Sequence, residues 1–84
     1  RVFVADDHEV VRQGLRRFLD ATTDIRVVGE ASEGETALKS LKSLPFDVLV
    51  LDLSLPLVSG LEVLRQARAL RPELPVLVLS MYPE

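Results

Sequence analysis

The sequence predicts a parallel α/β fold, with short apolar strands alternating with helices that cross back over one sheet. Two observations carry this expectation. Apolar runs and helical patterns alternate from end to end of the 84 residues, with only short connections between them. The runs Val48-Leu49-Val50-Leu51 and Pro75-Val76-Leu77-Val78-Leu79 lack the polar alternation of a half-exposed strand, so they read as buried on both faces.

Each element has its own signal. Val2-Phe3-Val4-Ala5 is the first strand. Val10, Val11, Gly14, Leu15, Phe18 and Leu19 recur at helical spacing and predict a helix over residues 9–21 with one apolar face, broken by Thr22-Thr23-Asp24. Residues 25–31 form the second strand. Ser32-Glu33-Gly34-Glu35 has the form of a capping box, opening a helix whose stripe is Ala37, Leu38, Leu41 and Leu44 and which Pro45 ends. Residues 47–51 are the third strand. Ser59-Gly60-Leu61-Glu62 repeats the capping pattern, and a helix over residues 60–71 turns Leu61, Leu64, Ala67 and Leu70 inward before Pro72. Residues 75–79 form a fourth strand, expected to be as buried as the third.

Composition bounds the function. At 48% hydrophobic and 27% charged residues, the chain fits one globular domain spanning residues 1–84, and no apolar stretch approaches the ~20 residues of a membrane span. A cytoplasmic setting is expected. Without cysteine, disulfides and thiolate metal sites are both excluded, so any metal would be bound by oxygen. The net charge is -3 and Arg16-Arg17 is the only adjacent basic pair, so direct nucleic-acid binding by this segment is not expected.

The informative residues are acidic. Asp6 and Asp7 close the first strand and Asp52 closes the third. If those strands are parallel neighbours, three carboxylates meet at one rim. Two carboxylates ~5 Å apart at an effective dielectric of ~20 repel by about 3 kcal/mol, and a shared proton or a bound cation must offset this. Hard oxygen ligands with open positions favour Mg2+. His8 invites a metal-ligand role by its place beside the acids, but is expected to face solvent at the helix entrance, since imidazole suits softer metals. Pro56 and Gly60 are read as shaping the loop after Asp52.

With Asp6-Asp7, Asp52, the Asp52-Leu53-Ser54-Leu55-Pro56 turn leading to Gly60, and Ser80 closing the fourth strand, the chain resembles the receiver domain of bacterial two-component response regulators. The opening Asp6-Asp7-His8-Glu9-Val10-Val11-Arg12-Gln13-Gly14-Leu15 resembles the LuxR/NarL-type subgroup, whose receivers precede a helix-turn-helix. The resemblance implies a flavodoxin-like doubly wound sheet with strand order 2-1-3-4, the order that general descriptions of this fold give for a receiver. It further implies that a fourth helix, a fifth strand with an active-site lysine, and a fifth helix follow residue 84. The receiver would then be incomplete at its C-terminal end.

The same resemblance assigns roles. Asp52 would accept a phosphoryl group from a sensor histidine kinase or a small donor such as acetyl phosphate. Asp6, Asp7, Asp52 and the backbone carbonyl of Ser54 would hold Mg2+. Ser80 would bind the phosphoryl group and act as switch, and Ser54, Met81 and Tyr82 would tune the lifetime of the acyl phosphate. Without the later elements the fourth strand would lie uncovered, so self-association by edge pairing or element exchange is expected. Two other classes compete: a pseudo-receiver that only binds partners, and an acyl-phosphate hydrolase. The hydrolase fits less well, because Ser54 stands where such enzymes carry a second acid.

Overall fold

The computed structural model describes residues 1–79, so Ser80, Met81 and Tyr82 lie outside the described residues. Seven elements alternate as expected: β1 (Val2–Ala5), α1 (Glu9–Asp20), β2 (Val27–Ala31), α2 (Gly34–Ser43), β3 (Val48–Asp52), α3 (Gly60–Leu70) and β4 (Val76–Leu79). All strand pairs are parallel, and the sheet order is β2-β1-β3-β4. That is the flavodoxin-like order. Among the described residues no helix is long and apolar enough to cross a membrane.

Strand parity divides the core between the two faces of the sheet. Phe3, Ala5, Leu49 and Leu51 point to one face and pack with Ala37 and Leu41 of α2 and Val63 and Ala67 of α3. Val2, Val4, Val27 and Val50 point to the other, where Leu15 and Leu19 of α1 partly cover them. The first face is closed and the second more open. On α1 the row Val11, Leu15 and Leu19 is half-buried, whereas Val10 and Phe18 stand in solvent, so the single apolar face expected from sequence splits into two rows. Rows of i, i+4 residues one position apart are rotated by about 100°, and the sheet covers only one of them.

Four further expectations are corrected. The Ser32 capping box does not form: Glu33 is the N-cap of α2 and makes no side-chain cap bond. The Gly34 amide donates instead to the Pro56 carbonyl at 3.3 Å, tying α2 to the loop after β3. At α3 the Ser59 side chain does accept from the Glu62 amide, but Leu61 and Leu70 are exposed and the inward row is Gly60, Val63 and Ala67. Gly60 sets this rotation. A Cβ there would lie 2.3 Å from the Leu53 Cα and 2.5 Å from the Asp52 carbonyl oxygen, so α3 can approach β3 only with its glycine foremost.

The fourth strand is not as buried as the third. Leu77 is 58% exposed and Val78 39%, whereas Leu49 and Leu51 are fully buried. The reason is position: β3 is flanked on both sides, while among the described residues β4 pairs only with β3 and forms a sheet edge. The second strand also starts later than expected, at Val27, whose amide is taken by the Asp20 carboxylate at 3.1 Å.

Candidate metal centre

The register of the two central strands builds the site. Ala5 of β1 lies opposite Leu51 of β3, and the next residue on each is an aspartate, Asp6 and Asp52. Both side chains are buried, at 0% and 1% exposure, and Asp7 stands beside them at the surface. Sequence-expected acids from distant positions are thus brought together.

Each buried carboxylate has one oxygen engaged and one without a partner. The Oδ1 of Asp6 accepts from the His8 amide at 2.7 Å, and the Oδ1 of Asp52 accepts from the Ser54 amide and hydroxyl, both at 2.9 Å. These are turns of the Asx kind, in which a side chain accepts from the amide two residues on. The Oδ2 atoms of Asp6 and Asp52 are buried with no hydrogen-bond partner among the described residues. A buried oxygen left so costs about 1–3 kcal/mol, more when charged. Both carboxylates therefore keep a lone-pair-bearing atom available for a ligand.

His8 is exposed at the entrance to α1, as the sequence suggested, but one edge of its ring faces the acids. Its Nδ1 lies 2.9 Å from the Asp6 Oδ1, 3.1 Å from the Asp7 Oδ1 and 3.4 Å from the Asp52 Oδ2. The last distance is charge proximity, not a hydrogen bond. The hydrogen bond to Asp6 and the charge of Asp7, in that order, hold the imidazole pKa above its ordinary value. The Asp-x-His spacing was the available signal, because the turn that occupies the Asp6 Oδ1 also swings the histidine over the cluster.

One ligand atom from each of Asp6, Asp7, His8 and Asp52 falls within 4.8 Å of the others. Three carboxylates and two partnerless oxygens form a hard, anionic donor set, which fits a small divalent cation with several positions left for other oxygens. Ser54 lies exposed at the rim, held by its bonds to Asp52. At the opposite, amino end of the strands is a cleft of about 410 Å3, lined by Phe46, Arg71 and Leu74 among others.

Known proteins are similar to this chain in sequence and fold. A family model described as the response regulator receiver domain matches residues 2–84. Response regulator UvrY of Escherichia coli K12 is 40% identical over 83 residues, 99% of this chain and 38% of that protein. The receiver domain of the putative response regulator NarL from Mycobacterium tuberculosis has a TM-score of 0.86 at 40% identity, covering 100% of this chain and 68% of that one. RcsB from Salmonella enterica serovar Typhimurium, solved bound to promoter rprA in the presence of phosphomimetic BeF3-, has a TM-score of 0.88 at 31% identity, covering 99% of this chain and 70% of that one. The chain spans about two fifths of the length of the curated relatives it matches. With its strand order, its acidic rim and these relatives in agreement, the chain belongs to the response-regulator receiver family, and its relatives are of the LuxR/NarL type.

Proposed function

We propose that this domain is a phosphorylation-controlled switch in which Asp52 takes a phosphoryl group from a sensor histidine kinase and passes the signal to a DNA-binding output module. The observation that carries this reading is the buried pair of partnerless oxygens on Asp6 and Asp52, facing one shared acidic rim. Asp6, Asp7, Asp52 and the Ser54 backbone carbonyl would hold Mg2+. When bound, Mg2+ supplies positive charge that offsets the negative charge on the transferring phosphoryl oxygens.

The chain's own groups do the rest. The Ser54 amide and hydroxyl fix the Oδ1 of Asp52, which leaves Oδ2 as the nucleophile. It forms a P–O bond to the phosphohistidine phosphorus as the P–N bond breaks, and the departing imidazole takes up a proton. The product is an acyl phosphate carrying about -1.5 to -2 charge at neutral pH, placed beside acids where it biases a two-state surface. Ser80 would read that charge with its hydroxyl, and Ser54, Met81 and Tyr82 would set the lifetime of the bond. The setting is the cytoplasm.

RcsB supports the output assignment by analogy, since it was solved on promoter DNA with a phosphoryl mimic. Exposure of Leu77 and Val78 on the β4 edge supports self-association of this segment through that edge.

The test uses acetyl phosphate and Mg2+ on the full-length protein. Labelling is expected on Asp52, with none in Asp52→Asn. Labelling that persists in the mutant places the nucleophile elsewhere, and Mg2+ binding without any labelling favours the pseudo-receiver.

A further inference from the structure

Arg12 reaches from α1 to the rear of the acidic rim. Its Nη1 donates to the backbone carbonyl of Asp6 at 2.7 Å, and its Nε donates to the Glu30 Oε1 on β2 at 3.1 Å. Both side chains are mostly buried, at 17% and 24% exposure. The other Glu30 oxygen accepts from Arg16 one turn further along α1. Asp6 is thereby held at three points: its amide by the Ala31 carbonyl at 2.9 Å, its Oδ1 by the His8 amide at 2.7 Å, and its carbonyl by Arg12. The one polar atom without a partner is the buried Oδ2.

We infer that Arg12, backed by Glu30, is a positioning residue that fixes the backbone of Asp6 so that its free carboxylate oxygen stays aimed into the Mg2+ site. Two features point to orientation beyond the general docking of α1. The guanidinium contacts the main chain of the cluster residue itself, engaging the carbonyl that follows the last cross-strand bond, from the Asp6 amide to Ala31. A planar, multi-donor group bridging a carbonyl and a carboxylate also fixes an angle, which a single ammonium does not. Glu30 acts through Arg12 by fixing the guanidinium and balancing its charge. The inference rests on the reading of the rim as a Mg2+ site.

The test is Mg2+ titration of the full-length protein by calorimetry, together with hydrogen exchange of the His8 amide in metal-free protein. Losing a group that orients a metal ligand typically weakens binding by 10–100-fold, so Arg12→Ala is expected to raise the Mg2+ Kd about tenfold. Glu30→Ala should raise it about threefold, a share of that loss because it acts only through Arg12. The double variant should be no weaker than Arg12→Ala alone, a non-additivity that independent structural effects would not produce. Arg17→Ala, on the exposed side of α1, should leave the Kd unchanged. Arg12→Lys, which keeps the charge and the stem and is the variant to use if Arg12→Ala does not fold, should remain weaker than wild type. A Kd within twofold of wild type in the Arg12 variants, or effects that simply add, would overturn the inference. If the wild type itself binds no Mg2+, the proposed function fails first, and Arg12 is judged on the His8 amide alone. Faster exchange in the variant upholds its role in fixing the Asp6 turn, and unchanged exchange removes it.

Discussion

The two ends of β3 are built in opposite ways. At the amino end Phe46 is buried against Phe3 with ring centroids 5.1 Å apart, and the Arg71 guanidinium lies 4.4 Å over the Phe46 ring. The same guanidinium donates to the carbonyls of Leu44 and Phe46, supplying partners to backbone that has left α2 and not yet entered the strand. At the carboxyl end, six residues on from Phe46, Asp52 is equally buried yet keeps an oxygen without a partner among the described residues, beside Asp6 in the same condition. One end closes the core with satisfied polar groups, and the other concentrates unsatisfied charge. Unsatisfied buried groups collect where a ligand completes them, so the contrast locates the working end of the sheet without reference to any relative.

The contrast can be broken from either end. Asp6→Asn should have the largest effect on binding: the metal-free domain gains about 1–2 kcal/mol because one of the repelling charges is gone, while the rise in Tm that Mg2+ gives the wild type is lost. Calorimetry with and without Mg2+ checks both signs. Arg71→Ala should do the reverse, costing about 2–3 kcal/mol through two lost hydrogen bonds and the lost stacking on Phe46, with Mg2+ affinity unchanged. Chemical denaturation paired with the same titration separates the two ends. A smaller effect is expected in the loop that follows Asp52, where Leu57 adopts a φ of 68°, in the left-handed region that disfavours side chains. Leu57→Gly relieves that conformation and should stabilise the domain by about 1 kcal/mol, less whatever the added freedom of glycine costs in the unfolded chain. Urea midpoints at constant slope would show it.

Much of this was legible before any coordinates. Continuous apolar runs announced β1 and β3, and the acids at their ends announced the rim, because strand parity and register act over a few residues and leave a direct trace. The placements that sequence missed depend on contacts between elements. The inward row of α3 is chosen by how closely Gly60 approaches Leu53 and Asp52, a contact about which the helical period of Leu61 and Leu70 says nothing, while Leu64 and Ala67 pack inward as expected. Likewise Ser32 does not cap α2, whose N-cap is Glu33 and whose Gly34 amide goes to a distant carbonyl, that of Pro56. His8 is exposed at the helix entrance as expected, and what sequence did not reveal is the Asp6 turn that also draws its Nδ1 to the cluster. The exposed faces of β4 follow from its place at the edge among the described residues, which strand composition alone does not reveal.

The central claim is that the divalent cation belongs to the carboxyl end of the sheet and to Asp6, Asp7 and Asp52 in particular. Titrating Mn2+ in place of Mg2+ and following paramagnetic broadening of backbone amide signals tests it residue by residue. The account predicts that the amides of Asp6, Asp7, His8, Asp52 and Ser54 broaden first, while those of Phe46 and Arg71 persist. Broadening centred on Asp20 and Asp24 at the other end, or spread evenly over the acidic surface, would contradict it.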